Sequence, residues 1–213
     1  MHFVQTGIND LSGVAHCHMT AFPKSLSTRL GRSYCAKMLS WYIESERGIL
    51  FHLAEGNEVL GYCGGIIKRF QGEPGSATSM TQHTFSSLVL KLLFRPWLLF
   101  HKEILANWPL IIRNIRLRFL SRSSKQKLLN NTTNSNFIPS IGLVVIGVCP
   151  SHQGKGYGSA LLKEFEARAL REGFKKITLS VHKDNYHAIK AYLKNGWIRG
   201  SEDATGIYMF KKL

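Results

Sequence analysis

Residues 146–159 read IGVCPSHQGKGYGS, an apolar run that passes through a glycine-rich turn into an amphipathic segment. The run Ser140 to Cys149 predicts a buried strand, and the segment from Gly156 to Glu172 predicts a helix that Gly173 ends. Backbone N–H groups at the start of a helix have no partner within it, and the helix dipole adds partial positive charge. The stretch therefore predicts a strand, turn and helix that bind an anion such as a pyrophosphate.

The spacing within the turn excludes two commoner phosphate motifs. A Walker A loop would need glycine at position 149 and Ser or Thr directly after Lys155, but Cys149 and Gly156 stand there. A dinucleotide fingerprint starting at Gly154 would need Gly or Ala at position 159, which is Ser159. The pattern that remains is Gln-x-x-Gly-x-Gly, at residues 153–158.

This pattern resembles the acetyl-CoA signature of the GNAT superfamily of N-acetyltransferases. Residues 185–197, read NYHAIKAYLKNGW, match the family's segment Asn-x-x-Ala-x-x-x-Tyr-x-x-x-Gly-Phe with Trp197 in the last place. The resemblance is strong over 141–197, weaker before residue 71 and absent between about 71 and 137. It implies an α/β fold, with a mixed, mostly antiparallel twisted sheet flanked by helices. The central strands of that sheet would splay apart after Cys149 to admit the pantetheine arm of acetyl-CoA.

The resemblance also implies roles for single residues. Those it assigns to acetyl-CoA are Ile146, Gly147 and Val148 along the pantetheine arm, Gln153, Gly154, Lys155, Gly156, Tyr157 and Gly158 at the pyrophosphate, and Asn185. Tyr192 would be the general acid that protonates the departing CoA thiolate. A tyrosine is a suitable donor for a thiolate whose conjugate acid has a pKa of about 8.5.

The general base stays open. Some family members carry a glutamate on the strand before the Asn-containing helix, but Ser180 stands at that position. His182 lies two residues along the same strand and hence on the same face, and its ordinary pKa of about 6.5 suits a base. Ordered water, or an amine that is already partly neutral, would also suffice.

Length and composition favour one domain over residues 1–213, with an insertion at about 71–137. The four cysteines form no Cys-x-x-Cys pair, which argues against zinc and against a disulfide framework, so no metal is expected. No basic and apolar leader with a small-residue cleavage site begins the sequence, so a cytoplasmic location is expected, where acetyl-CoA is at hand.

Periodicity predicts the remaining elements. They are an extended segment His2 to Thr6, a helix from about Ile8 that Pro23 stops, a helix from Ser27 to Glu46 capped by Ser27 or Thr28, a hairpin of Ile49 to Ala54 and Val59 to Lys68, a strand Lys176 to His182, a helix Asn185 to Asn195, and strands Trp197 to Arg199 and Gly206 to Lys211.

Basic residues concentrate in the insertion. Residues 83–127 hold nine Lys and Arg against the single acid Glu103, within a chain of net charge +15. Leu88 to Phe100 is too short and too charged to span a bilayer. The insertion's helices would pack over the acceptor site or against a second subunit, with arginines facing solvent or a phosphorylated substrate. Alternatives are an anionic membrane surface, which would place the chain peripherally at the inner membrane, and nucleic acid.

The predicted function is acetyl transfer from acetyl-CoA to the primary amine of a small molecule. An amino sugar or a sugar nucleotide is favoured because arginines can hold phosphates. A polyamine is disfavoured because the basic surface would repel it. A protein amine is an alternative acceptor, and a non-catalytic module that binds acyl-CoA or a membrane surface is an alternative function. A homodimer is compatible with the sequence.

Overall fold

A seven-stranded sheet organises the chain, in the order β1-β2-β3-β4-β5-β7-β6. The computed structural model describes residues 1–71, 73, 75–106, 108, 111–112, 116 and 137–213. The strands are β1 His2–Gln5, β2 Gly48–Glu55, β3 Glu58–Lys68, β4 Ser140–Val148, β5 Lys176–His182, β6 Ile198–Glu202 and β7 Gly206–Lys212. Only β4 and β5 pair in parallel, while the other neighbours are antiparallel. The predicted mixed, mostly antiparallel sheet is confirmed.

Helices cover both faces of this sheet. Within the described residues they are α1 Leu11–Ala21, α2 Leu26–Leu30, α3 Arg32–Glu44, α4 Ser76–Phe94, α5 Lys102–Ala106, α6 Tyr157–Arg171 and α7 Tyr186–Lys194. One apolar layer includes Phe165 of α6 and Ile189 of α7. The other includes Val14 of α1 and Tyr42 of α3. Side chains of β3 enter both layers, because successive residues of a strand point to opposite faces.

The helix predicted from Ser27 to Glu46 is wrong, because the chain forms two helices there. Gly31 has φ of 97°, a left-handed conformation that interrupts the helix between α2 and α3. The predicted caps are also wrong. Ser25 caps α2, with its hydroxyl accepting a hydrogen bond from the Thr28 N–H at 3.3 Å.

The two central strands separate earlier than predicted. β4 and β5 pair only over Ile141 to Leu143, so the divergence begins before Cys149 and within β4. Against β3, Leu143 and Val145 pair with adjacent glycines, which leaves Val144 as a bulge residue that is 37% exposed. A bulge bends its strand and ends regular pairing. The expectation of a buried strand therefore fails for the second half of β4.

Part of the segment predicted as an insertion is helical and packs on α3. The Tyr34 and Thr84 hydroxyls are 3.2 Å apart, and Ser40 Oγ lies 3.2 Å from His83 Nε2. Most of the predicted insertion between 113 and 136 lies outside the described residues. Among the helices that are described, none has the length and the apolar character required to cross a bilayer.

Candidate functional site

A cleft of about 450 Å³ opens where β4 diverges from β5. Its walls are the end of β4, the glycine-rich turn, the start of α6 and one face of α7. The lining residues are Ile146, Val148, His152, Gln153, Gly154, Gly156, Tyr157, Gly158, Ser159, Leu162, His187, Ala188, Ala191 and Tyr192. Seven of the ten residues that the sequence assigned to acetyl-CoA therefore meet at one cavity, together with the assigned acid.

The turn forms an open cradle of backbone N–H groups. Gly154 and Gly156 have φ of 77° and 85°, values that favour glycine because a side chain would strain the backbone. A Cβ added at Gly154, Gly156 or Gly158 would meet no atom within 4 Å, so the backbone borders open space. The first N–H groups of α6 have no helical partner and point out of its N-terminus. This cradle fits the pyrophosphate of acetyl-CoA.

The remaining walls are mainly apolar and small. Ile146 and Val148 line the cleft from β4, Leu162 lines it from α6, and Ala188 and Ala191 line it from α7. Because the alanines carry only methyl groups, α7 leaves room between itself and the strand. An apolar cleft that leads from an anion cradle fits the pantetheine arm of acetyl-CoA.

Three of the assigned residues do not line the cleft. Lys155 is exposed on the turn, and Asn185 caps α7 with its side-chain oxygen 3.2 Å from the Ala188 N–H. A Cβ on Gly147 would meet the Tyr62 ring at 2.8 Å, so this position faces the layer of α1. Their contacts with acetyl-CoA stay predictions. Gln153 does line the cleft, and its amide donates to the Val148 carbonyl at 3.0 Å, which ties the turn to the end of β4.

Tyr192 lies buried on the inner face of α7, with its ring 5.8 Å from that of Trp197. Burial raises the pKa of the phenol well above its usual value, and the nearby Cys63 adds to the effect. Within the described part of the chain, no residue forms a hydrogen bond with its hydroxyl. The group therefore keeps its proton at neutral pH, and the residue that carries it lines the cleft.

His182 and Ser180 lie on the exposed face of β5 and are not among the cleft-lining residues. The buried residues Leu179 and Val181 of the same strand point into the layer that contains Tyr192. The two polar side chains are therefore on the opposite side of the sheet from the phenol. The opening between β4 and β5 is the place where the two sides meet.

Polar contacts fix the two helices that border the cleft. Asn195, just after α7, donates to Ser159 Oγ at the start of α6 at 3.1 Å. The ammonium of Lys211 on β7 bridges the Glu166 carboxylate and the Asn195 carbonyl, both at 2.8 Å. The ion pair is half-buried, so solvent weakens it less than an exposed pair. These contacts fix the position of the cradle relative to Tyr192.

Two side-chain contacts near the end of β4 join residues distant in sequence. His18 is buried, with Nδ1 2.5 Å from the Tyr62 hydroxyl and Nε2 2.8 Å from Ser27 Oγ. Cys149 Sγ lies 2.8 Å from Cys17 Sγ. The hydrogen bond between these thiols lowers the pKa of Cys149. Neither pair is predictable from the sequence, because the partners are 44 and 132 residues apart and no local pattern marks them.

Among the residues that the structure describes, no group of three or more His, Cys, Asp or Glu side chains could hold a metal ion. His152, which lines the cleft, is instead 3.0 Å from the carboxylate of Glu58 on β3. This contact helps to fix the turn against the strand.

Comparison with known protein families identifies the same segment. The profile of the Acetyltransferase (GNAT) family matches residues 135–197, which include the cradle and Tyr192. This match confirms the resemblance that the motif indicated. No curated protein sequence matches the chain.

Solved structures show the same fold. A PaiA N-acetyltransferase from Thermoplasma acidophilum in complex with coenzyme A aligns over 100% of this chain and 98% of its own, with TM-score 0.54 and 12% identity. The ribosomal-protein-S18-alanine N-acetyltransferase from Escherichia coli aligns over 99% of this chain and 92% of its own, with TM-score 0.54 and 14% identity. An aminoglycoside 6'-N-acetyltransferase from Acinetobacter haemolyticus aligns over 96% of this chain and 95% of its own, with TM-score 0.56 and 11% identity. At these identities the likeness establishes the fold.

Proposed function

We propose that this chain, a GNAT acetyltransferase over residues 135–197, moves the acetyl group of acetyl-CoA to the primary amine of a small molecule. Acetyl-CoA-dependent N-acetyl transfer is the reaction of the matched family, and one of the structural neighbours was solved with coenzyme A. The observation that supports the proposal most directly is the single cleft that joins an open N–H cradle to a buried, protonated tyrosine.

When bound, acetyl-CoA supplies a thioester, an acetyl group already activated toward an amine. The N–H groups of the turn and of the first residues of α6 would hold its pyrophosphate, and Ile146 and Val148 would flank its pantetheine arm. In the transfer, a bond forms between the amine nitrogen and the acetyl carbon, and the bond from that carbon to sulfur breaks. Tyr192 Oη would donate its proton to the departing sulfur.

The amine must lose a proton before or during its attack. Ser180 cannot accept that proton as a carboxylate would, and His182 on the same exposed face of β5 is the titratable side chain that we propose as base. This face adjoins β7, where Tyr208 and Phe210 stack with ring centroids 6.2 Å apart. An acceptor bound there would reach the thioester through the opening between β4 and β5.

The acceptor that we favour is an amino sugar, free or linked to a nucleotide. Stacked aromatic rings beside polar side chains suit a ring with one apolar and one polar face. A chain with net charge +15 attracts a phosphorylated acceptor and repels a polycation such as a polyamine.

The test is thiol release from acetyl-CoA with a panel of amino sugars, sugar nucleotides, polyamines, amino acids and peptides, with the product identified by mass. Turnover with an amino sugar or sugar nucleotide, and an added mass of one acetyl group on it, is the expected result. Turnover with peptides alone would move the acceptor class to protein amines. Binding of acetyl-CoA without turnover across the panel would instead favour a non-catalytic acyl-CoA-binding module. Ser180 is compatible with that function, because it stands where some family members carry a glutamate.

The proposed base has its own comparison within that assay. If His182 is the base, His182→Gln should lower kcat more at high pH than at low pH, because a base must be unprotonated to act; an equal loss at every pH would mean that another group is the base. If His182 is the base, the variant should lose the acidic limb of the pH–rate profile that the wild type shows. The control is His16→Gln, which makes the same substitution at an exposed position of α1 that does not line the cleft.

A further inference from the structure

A group of large apolar side chains is exposed on the C-terminal half of α4 and just beyond it. We define the α4 patch as Leu90, Leu93, Phe94, Trp97, Phe100 and Trp108, whose exposed fractions run from 51% to 79%. Single exposed apolar residues are ordinary on protein surfaces. Six within nineteen residues, four of them aromatic, form a concentration that marks an interaction surface.

The fold does not use the α4 patch for its own core. The other face of α4 packs inward, where Leu88 and Leu92 contact a cluster that contains Leu30, Tyr34 and Leu98. None of the six patch residues belongs to an apolar cluster of the described residues. The second half of α4 is thus apolar on two faces, a pattern found in helices that are covered on both sides.

The charge around the patch identifies the sign of its partner. The residues of 83–116 that the structure describes include Lys91, Arg95, Lys102 and Arg116 against one acid, Glu103. The Glu103 carboxylate accepts a hydrogen bond from the Leu26 N–H at 3.2 Å, so it is engaged at the start of α2. Arg95, Lys102 and Arg116 are exposed. A second copy of the chain would bring this positive region against itself, whereas an anionic partner would complement it.

We propose that the α4 patch docks the protein onto the surface of an anionic lipid bilayer. The apolar side chains would enter the boundary between headgroups and acyl chains, and the neighbouring Lys and Arg would contact lipid phosphates. Tryptophan is enriched at this depth because its ring is apolar and its N–H is polar. A nucleic acid would satisfy the positive charge but would leave Leu90, Leu93 and the phenylalanines in water.

Tryptophan fluorescence tests this directly. The chain has four tryptophans, of which Trp97 and Trp108 lie in the patch and are exposed, while Trp41 and Trp197 are 7% and 2% exposed. Vesicles of equal parts phosphatidylcholine and phosphatidylglycerol should shift the emission of the full chain to the blue. Phosphatidylcholine vesicles alone should shift it much less, and salt at about 0.5 M should weaken the shift because it screens the charges.

Co-sedimentation with the same vesicles compares two double variants. Phe94→Ser with Phe100→Ser removes two patch residues, which are 75% and 79% exposed. Ile8→Ser with Leu170→Ser removes two apolar residues outside the patch, which are 74% and 54% exposed. The patch variant should retain about a tenth or less of the wild-type binding constant, roughly the effect expected for two large interfacial side chains. The control variant should bind like the wild type.

Three results would overturn the proposal. The first is no emission shift and no sedimentation with anionic vesicles. The second is an equal loss in the control variant, which would show that any change of surface apolarity has the same effect. The third is a wild-type protein that does not bind vesicles and is a dimer in sedimentation equilibrium, while the patch variant is a monomer. A second copy of the chain would then cover the patch. Circular dichroism of both variants shows that they are folded before binding is compared.

Discussion

Tyr192, the proposed general acid, would act through its one hydroxyl group. We expect Tyr192→Phe to lower kcat about ten-fold or more, because general acids contribute at least that much, and to leave the KM for acetyl-CoA nearly unchanged. The phenyl ring keeps its packing against Trp197, so thermal stability should be preserved. Steady-state kinetics with the best acceptor gives both constants.

Tyr186→Phe is the matched control, because Tyr186 begins the same helix and is 74% exposed. Equal kcat values for Tyr192→Phe and the wild type would remove Tyr192 from the role of acid.

His18 makes folding stability depend on pH. Burial lowers its pKa from 6.5 to about 4, so between these values the unfolded chain binds a proton that the folded chain does not. Stability is therefore present above pH 6.5 and is lost as the pH falls toward 4, by about 3 kcal/mol for this shift. His18→Gln, which keeps hydrogen-bonding groups near Tyr62, should lose correspondingly less free energy of unfolding over that range.

Urea unfolding of both proteins at neutral pH and near pH 4 measures the difference, since the other titrating groups are common to both. Parallel losses in the wild type and the variant would contradict the role assigned to His18.

Among the elements, those with strong local signals were predictable. The strand over Lys176 to His182 has its predicted bounds, because alternating apolar residues and flanking turns fix both ends. The break between α2 and α3 was not predicted, since the apolar spacing continues across Gly31 and only the left-handed backbone there reveals it. The bulge at Val144 was equally hidden, because bulges depend on the neighbouring strand.

The cradle can be tested as an element through Gly158. A side chain at this position meets no protein atom and would extend into open space at the start of α6. Gly158→Val should therefore weaken acetyl-CoA binding by about ten-fold or more, equal to roughly 1.4 kcal/mol, while stability changes little. Isothermal titration calorimetry gives the affinity.

Leu170→Val is the matched control for that measurement, because it places the same β-branched residue at an exposed position of the same helix without changing charge. Unchanged acetyl-CoA affinity in Gly158→Val would place the pyrophosphate elsewhere.

At the scale of the whole molecule, the motif led to the cleft because its residues are consecutive and the cavity forms around them. The sequence did not reveal how far β4 and β5 stay paired, since this depends on contacts between Leu143 and Leu179 in separate parts of the chain. The contact of Cys17 with Cys149 is likewise a product of the sheet and helix layers. The sequence shows that basic residues are concentrated in this segment. It does not show that an exposed apolar face lies beside them, because this depends on which face of α4 packs inward.

The proposed acetyl transfer requires that one cleft bind acetyl-CoA with its sulfur at Tyr192. A crystal structure of the chain with coenzyme A tests it independently of the acceptor. We expect the pyrophosphate within hydrogen-bond distance of the N–H groups of 154–158, and the sulfur within about 3.5 Å of Tyr192 Oη or joined to it by one water. Coenzyme A bound outside the cleft, or a sulfur directed away from Tyr192, would contradict it.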